Sequence, residues 1–445
     1  MGRRRPPSID RMTTPLKPSP APAAAPTPSG TAKPLPRLQD YPVANHTAPR
    51  KAAAGGGWFV PPRLRGVLSL ADFEHAARRH LPSPVFAYVS GGCENDRSLR
   101  ANDDAFADHD WVTRVFVDTS PRTLATELFG RRWAAPFGIA PMGISALSAY
   151  RGDLVQTQAA SAAGIPHVMS GSSLIRMEDI AAANPDAWFQ AYVPGEPARI
   201  AALLDRVEAA GFGTLVVTAD VPVSGNRENN VRARFSTPLR PDLHLAWDGI
   251  THPRWLFGTA LRTLIHHGMP HFENSHAQRG APIVARNVLR EFGARDHLHW
   301  GHVDQIRQRW KGRLVLKGIL APEDATMARE RGADGVIVSN HGGRQLDGSI
   351  APLRALPAVV QALGPDYPVM LDGGIRRGSD VLMALALGAK FVFVGRPFNY
   401  AGAVGGQPGV THAIGILATE MARNMALLGV LSPTEVGPQH LRARH

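Results

Sequence analysis

RLVLKGILAPEDATMARERGADGVIVSNHGG, residues 313–343, decides how the rest of the chain is read. An apolar run, RLVLKG (313–318), leads into a helix-forming stretch that stops at ARERG (328–332). A second apolar and β-branched run, GVIVSN (335–340), closes the unit. Glycine at the end of the helical stretch is the usual left-handed stop. Neither strand has a polar face to turn to water, as expected of parallel strands covered on both sides.

The same unit recurs along the chain. Further strand candidates are PFGIAPMG (136–143), PHVMS (166–170), WFQAYV (188–193), TLVVTAD (214–220), PVMLDG (368–373) and FVFVGR (391–396), with helix ends at ASAAG (160–164), VEAAG (207–211) and ALALG (384–388). Eight strands alternating with helices predict an α/β protein of the (β/α)8 TIM barrel type. An open doubly wound sheet would call for a GxGxxG turn after an early strand, and the chain has none. The expected domain covers 66–435, with the barrel from about 121. LADFEHAARRHL (70–81), opened by Ser69 as N-cap, predicts a helix ahead of it. Residues 235–300 read as a long insertion after the fourth strand, where a structureless loop is expected to be functional or disordered. Residues 1–57 are rich in Pro, Ala, Ser and Thr and read as a disordered tail.

Composition narrows the function classes. The chain has 445 residues, 44% of them hydrophobic, which is enough for a large core. The net charge of +12 comes almost wholly from arginine, with lysine only at positions 17, 33, 51, 311, 317 and 390. No basic run is interleaved with aromatics, so nucleic acid is not an expected partner. The single cysteine, Cys93, excludes an intramolecular disulfide and a cysteine-rich metal site, and no metal is expected. It fits an enzyme of a reducing compartment. No window of 18 apolar residues suggests a spanning helix, and no signal segment follows Met1.

A barrel of this kind builds its active site at the C-terminal ends of its strands. Those ends carry Pro141, Met142 and Gly143, then Ser170, Gln190 with Tyr192, and Thr218 with Asp220 and nearby Arg227. Lys317, Ser339 and His341 with Arg344, Asp372 to Gly374 with Arg376, and Gly395 with Arg396 complete the rim. An imidazole beside a guanidinium can move a proton near neutral pH while holding a carboxylate. LDGGIRRG (371–378) and VGRPF (394–398) place glycine-freed amides and arginines after strands seven and eight, the common phosphate site of such barrels. Lys317 can form a Schiff base or supply a fixed cation. The absence of an aldol signature favours the cation.

SNHGGRQLD (339–347), LDGGIRRG, VGRP, TAD…NRE (218–228) and LP…YVSGG (81–92) together resemble the FMN-dependent α-hydroxy-acid oxidising family over residues 66–435. Within it the chain is most similar to bacterial L-mandelate dehydrogenase, through DGITHPRW (248–255), HGMP (267–270), MEDIA (177–181) and Gly143. L-lactate dehydrogenase and glycolate oxidase belong to the same family. The resemblance implies FMN as cofactor and oxidation of an L-2-hydroxy acid to the 2-oxo acid. It implies His341 as the base, Asp220 as the partner of its imidazole, and Arg344 with Arg227 as the carboxylate clamp. Tyr88 and Tyr192 would hydrogen-bond the substrate, and Lys317 would lie against the flavin. Pro141, Met142, Gly143, Ser170, Gln190, Thr218 and Ser339 would line the flavin, and Asp372 would hold ribityl hydroxyls. Gly373, Gly374, Arg376, Gly395 and Arg396 would take the phosphate. The chain departs from the family in Ser172, where glycolate oxidase has tryptophan, and in QAY at 190–192, where leucine is frequent in the middle.

The expected electron acceptor is a membrane quinone. The alternatives are an oxidase that makes hydrogen peroxide from O2 and, in a different class, a non-catalytic basic scaffold. Trp247, Trp255, Leu256, Phe257 and Leu261 among Arg240, Arg254, Arg262, His266 and His267 predict that the insertion meets a membrane surface. A lid over the active site is the other reading, and excising about 240–280 is expected to leave a soluble, active enzyme. The resemblance also implies a homo-oligomer, a tetramer by the family's habit. The expected location is cytoplasmic, peripheral on the inner face of the membrane.

Overall fold

The computed structural model describes residues 60–235, 243–285 and 295–444. The expected tail over 1–57 and Arg240 lie outside them. All eight expected strands form: β1 (Phe137–Ile139), β2 (Val168–Ser170), β3 (Trp188–Ala191), β4 (Thr214–Thr218), β5 (Arg313–Ile319), β6 (Gly335–Val338), β7 (Val369–Asp372) and β8 (Phe391–Val394). They are parallel and hydrogen-bonded in the order β1-β8-β7-β6-β5-β4-β3-β2. The β1–β2 seam is joined by a parallel bridge between Ile139 and His167, and the Ile139 amide donates to Pro166 O at 2.9 Å.

One helix follows each strand: α1 (Gly152–Ala163), α2 (Met177–Ala183), α3 (Pro197–Ala209), α4 (Trp300–Arg309), α5 (Pro322–Glu330), α6 (Pro352–Leu363), α7 (Gly378–Ala386) and α8 (Arg396–Leu428). Proline occupies the first turn of α3, α5 and α6, where its missing N–H costs nothing. Every residue of β1, β2, β3, β4 and β6 is buried, as strands covered by helices require. Inside the barrel Val168, Trp188, Val216, Val315, Ile337, Met370, Phe391 and Phe393 form a packed core. A hairpin ahead of β1, Thr126–Leu128 with Arg131–Trp133, adds Leu128 and Trp133 to that core.

The helix expected at 70–81 spans Leu70–His80, with Ser69 at its N-cap. The Asp72 carboxylate accepts the amides of Ser69 and Leu68 at 2.9 and 2.8 Å, satisfying two donors at the helix entry. The insertion differs from the structureless loop expected from its sequence. It carries a helix at Leu243–Thr251, a short turn at Pro253–Trp255, a π-helical turn at Leu256–Leu261 and a helix at Arg262–His267. Among the described residues no helix is long and apolar enough to cross a membrane.

Candidate active site

β6 delivers the central group. After Val338 the backbone turns through three successive left-handed residues, His341 (φ 58°), Gly342 (φ 65°) and Gly343 (φ 72°). Left-handed backbone strains a histidine, so surrounding contacts must impose it. Ser339 Oγ accepts the His341 amide at 3.0 Å, and Asn340 Oδ1 accepts the Gly343 amide at 3.0 Å. Asn340 is itself held by a reciprocal amide pair with Asn102, at 2.8 and 2.7 Å. A Cβ at residue 343 would lie 2.6 Å from Leu99 N, so glycine is needed where the N-terminal segment crosses this turn.

The turn aims His341 into a cleft at the C-terminal ends of the strands. Nδ1 of His341 pairs with Asp220 Oδ1 at 2.8 Å, and Nε2 faces the Tyr192 hydroxyl at 3.4 Å. Burial pushes the imidazole below its ordinary value, and the Asp220 carboxylate offsets only part of that. Burial alone would raise the Asp220 carboxyl, yet the His341 ring and the Lys317 ammonium hold it low. The pair is therefore a neutral imidazole backed by a carboxylate at neutral pH. Burial pushes the Tyr192 hydroxyl up to about 12, so it remains an O–H donor.

Lys317 ends the regular part of β5, where the β5–β6 register shifts between Lys317 and Ile319. Its Nζ pairs with Asp372 Oδ2 at 2.8 Å and donates to Ser339 Oγ at 2.8 Å. Burial works to lower this lysine, but Asp372 and Asp220 outweigh it and keep the ammonium charged. A charged, paired lysine is a poor nucleophile. The other wall of the cleft is a polar relay: Ser170 Oγ donates to Gln190 Oε1 at 3.1 Å, and Gln190 Nε2 donates to Thr218 Oγ1 at 2.8 Å.

Three guanidiniums crowd the mouth. Arg344 donates to Gly91 O and lies 5.1 Å from the Tyr88 ring. Arg396 donates to Val89 O, Gly91 O and Gly342 O at 2.9, 3.1 and 2.9 Å. Together they tie the segment carrying Tyr88 to the barrel. Arg227 Nε donates to Arg344 O at 3.3 Å. Burial, with the charges of Arg227 and Arg396, pushes Arg344 down to about 9. A bound anion would relieve that crowding.

Of the residues singled out from sequence, Tyr88, Pro141, Met142, Gly143, Gln190, Tyr192, Thr218, Arg227, Lys317, His341, Arg344, Asp372, Gly373, Gly374, Arg376, Gly395 and Arg396 line one cleft of about 1450 Å³, counted out to solvent. Ser170, Asp220 and Ser339 stand behind this lining and act on it through Gln190, His341 and Lys317. The N-terminus of α7 is capped from within the chain. Asp380 accepts the amides of Arg376 and Arg377, both at 2.8 Å, and Glu420 accepts that of Gly378 at 2.7 Å. Those donors are taken, so an anion at this end meets Gly373–Ile375 and Arg376 instead. The sequence reading also missed Phe272 and Arg295, which the insertion contributes to the lining. The guanidinium of Arg295 lies 4.8 Å from the Tyr192 ring.

The cleft fits a flavin nucleotide. Its lining sets glycine-rich loops at one end and a buried cation midway. Asp372 Oδ1 is buried with no hydrogen-bond partner among the described residues, an acceptor placed for polyol hydroxyls.

A family model for FMN-dependent dehydrogenases matches residues 77–443. The chain is 40% identical over 369 residues to an L-lactate dehydrogenase of Ectopseudomonas mendocina (strain ymp), covering 82% of this chain and 96% of that one. It is 38% identical over 379 residues to the L-lactate dehydrogenase of Xanthomonas euvesicatoria pv. vesicatoria (strain 85-10), covering 84% and 96%. Among solved structures, an (S)-mandelate dehydrogenase described as a monotopic membrane protein superposes with a TM-score of 0.78 at 34% identity, over 85% of this chain and all of that one. A mandelate oxidase gives 0.69 at 35% identity, over 85% and 98%. These likenesses exclude the non-catalytic scaffold. The chain is an oxidoreductase with FMN as its cofactor, and it belongs to the FMN-dependent dehydrogenase family.

Proposed function

We propose that the protein oxidises an L-2-hydroxy acid to the 2-oxo acid and passes the electrons to a membrane quinone. The observation that carries the reaction is the cleft itself: a neutral His341 backed by Asp220 sits beside a cluster of half-buried guanidiniums. Arg344 and Arg227 hold the substrate carboxylate, and Tyr88 and Tyr192 hydrogen-bond the carboxylate and hydroxyl. This turns the carbinol carbon toward Nε2 of His341, which takes the proton. Asp220 stays ionised and stabilises the imidazolium that results. FMN, when bound, would accept the two electrons of the C–H bond that breaks, together with the proton that leaves the hydroxyl as the carbonyl forms. Lys317 presents a fixed positive charge to the ring, and Gln190 and Thr218 meet its polar edge. Asp372 takes ribityl hydroxyls, and Gly373, Gly374, Arg376, Gly395 and Arg396 face the phosphate.

Anaerobic mixing with L-lactate, L-mandelate, 4-hydroxymandelate and glycolate tests this reading, since the flavin absorbance bleaches only with a true substrate. At least one L-acid is expected to bleach it within seconds, and a flavin that none of them reduces would overturn the proposal. For a dehydrogenase, reoxidation by air should be slow. A Cβ on Gly143 would lie 3.1 Å from the Tyr88 hydroxyl and 3.2 Å from Ser172 Cβ, so the site there is already full. Gly143→Ala is expected to quicken the reaction with oxygen. Rapid peroxide formation by the wild type at air saturation would favour the oxidase.

The membrane part of the proposal rests on the insertion. Leu243, Trp247, Ile250, Phe257, Leu264 and Ile265 are exposed, and Arg254, Arg262, His266 and His267 lie among them. Such a mixture suits the headgroup boundary. The contributors differ from those expected. Trp255 turns inward and donates its indole N–H to Leu147 O at 2.7 Å, so it anchors the insertion to the barrel. Docking on the inner face brings the cleft to a quinone in the bilayer. The excision expected at 240–280 is too long, because it would remove Phe272 from the site wall. Replacing only 243–267 by a short Gly/Ser linker is expected to abolish sedimentation with anionic liposomes at low salt while flavin reduction continues. Failure of the intact protein to sediment would remove this arm. A homo-oligomer belongs to the same reading, with Val115, Phe116 and Leu427 exposed for a second copy.

A further inference from the structure

The limb of the insertion that returns from its exposed helices to the barrel is built more firmly than a lid needs. It doubles back over residues 270–283. The Phe272 amide donates to Ala281 O at 3.1 Å, the Gly280 amide donates to Phe272 O at 2.8 Å, and the Ile283 amide donates to Pro270 O at 2.8 Å. A Cβ on Gly280 would lie 2.5 Å from Phe272 O, so the two strands of this fold-back touch. Phe272 is thereby fixed through both of its backbone polar groups. Its ring is buried among Ile144, Ala146, Leu174, Phe235 and Ile283 and also lines the cleft.

A buried side chain ties the fold-back to the barrel. Asn274 is 1% exposed. Its Oδ1 accepts the amide of Met177, the first residue of α2, at 2.8 Å. Its Nδ2 donates to Ser173 O at 3.1 Å and to Ile175 O at 2.7 Å. A single amide thus satisfies three main-chain groups of the loop between β2 and α2. That loop carries Ser172, whose Cβ stands 3.2 Å from a Cβ built on Gly143. On the outer side Arg206 donates to Glu273 O and His276 O at 2.8 and 2.9 Å, gripping the limb around Asn274. Buried amides that serve another element's backbone position it closely, because groups left unpaired away from water are costly.

This joins two parts of the cleft. The Tyr88 and Phe235 rings lie 4.6 Å apart, tilted by 30°, and Phe235 packs with Phe272 and Ile144. The apolar patch therefore begins beside a tyrosine placed to hold the substrate and runs away from the guanidiniums toward Gly143, Ile144 and Ser172. An acid clamped by its carboxylate at Arg344 would point its 2-substituent along this patch. Phe272 is the broad aromatic side chain that the insertion sets against this end of the cleft.

We infer that Phe272 is a specificity-determining residue that packs against the substrate's 2-substituent, and that Asn274 is the positioning residue that holds it there. The inference rests on the proposed 2-hydroxy-acid reaction and adds the class of side chain selected: an aryl or similarly broad apolar group. Selectivity is then set by an element outside the barrel. A substituent as small as methyl does not reach Phe272, so the two substrate classes report on it differently. Losing apolar contact in such a pocket costs about 10- to 200-fold in kcat/KM for each methylene-sized change.

The experiment measures anaerobic flavin reduction by L-mandelate and by L-lactate in the FMN-loaded protein. Phe272→Ala is expected to lower kcat/KM for L-mandelate at least tenfold more than it lowers that for L-lactate. Phe272→Leu, which refills most of the volume, should recover most of the loss. Asn274→Ala should lower the mandelate-to-lactate ratio in the same direction, mainly through KM. Added to Phe272→Ala, it should lower the ratio little further, since two changes acting through one ring are not additive. A merely structural role for Asn274 would depress both substrates alike. A mandelate-to-lactate ratio that is unchanged or raised in Phe272→Ala overturns the inference, even if Asn274→Ala fails to fold. A wild-type flavin that neither acid reduces would instead be the failure of the proposed reaction, so the two failures are distinct.

Discussion

Replacing His341 by glutamine is expected to leave the fold and the bound FMN in place and to slow flavin reduction by about 10²–10⁴-fold, the usual contribution of a positioned base. That range corresponds to roughly 3–5 kcal/mol of barrier. Glutamine is polar and of similar length, and it inherits the left-handed backbone that His341 already adopts. It lacks a basic lone pair, so only the proton transfer is removed. Stopped-flow reduction under anaerobic conditions measures the effect, and near-normal reduction would take the base role away from His341.

The pH profile gives the same assignment a second test. The base works as neutral imidazole, so kcat/KM should fall as pH drops through its pKa in the free enzyme. Burial puts that pKa below the ordinary value of 6.5, and the acid limb should lie there. Asp220 raises it, so Asp220→Asn should move the limb to still lower pH while slowing reduction. A limb that moves upward in this variant would show that another group is titrating.

The barrel was legible in the chain because each strand is a short, apolar, β-branched run and many of the helices end at glycine. Those local signals survive without knowledge of the partners. Most of the site was legible for a related reason: parallel strands bring their C-terminal ends to one rim, so His341, Lys317 and Asp372 meet by topology alone. What was missed depends on contacts between distant residues. The Asn102–Asn340 pair joins positions 238 apart, and neither asparagine is marked by its neighbours. The hairpin under the barrel turns at Phe129 (φ 57°) and Gly130 (φ 74°), a left-handed pair that normally favours asparagine before glycine. With phenylalanine there instead, the turn signal is lost. In the insertion the composition did suggest a mixed apolar and basic surface. It could not tell outward Phe257 from inward Trp255, because that depends on which indole finds Leu147 O.

Arg344→Met is expected to damage binding and turnover together, unlike the base variant. Methionine keeps much of the side-chain length and bulk against the Tyr88 ring while removing the fork and the charge. Truncating one partner of a buried, hydrogen-bonded charge pair typically costs about 2–5 kcal/mol. The expected fall in kcat/KM is therefore on the order of 30- to 5,000-fold. KM should rise because the carboxylate loses a holder. The rate constant for flavin reduction should fall because a loosely held acid no longer presents its carbinol carbon to His341. Arg344→Lys should rescue this only in part, since a point charge cannot reproduce a two-pronged donor. FMN content should not change, because the expected phosphate end lies at Gly373, Gly374 and Gly395. Arg227 keeps its place in this variant, since its Nε donates to the backbone carbonyl of residue 344 and not to the side chain. Whatever binding remains then measures Arg227 together with Tyr88 and Tyr192. If KM and flavin reduction both stay within a few-fold of the wild type, Arg227 is the clamp, and the Arg344 side chain serves instead to anchor Gly91.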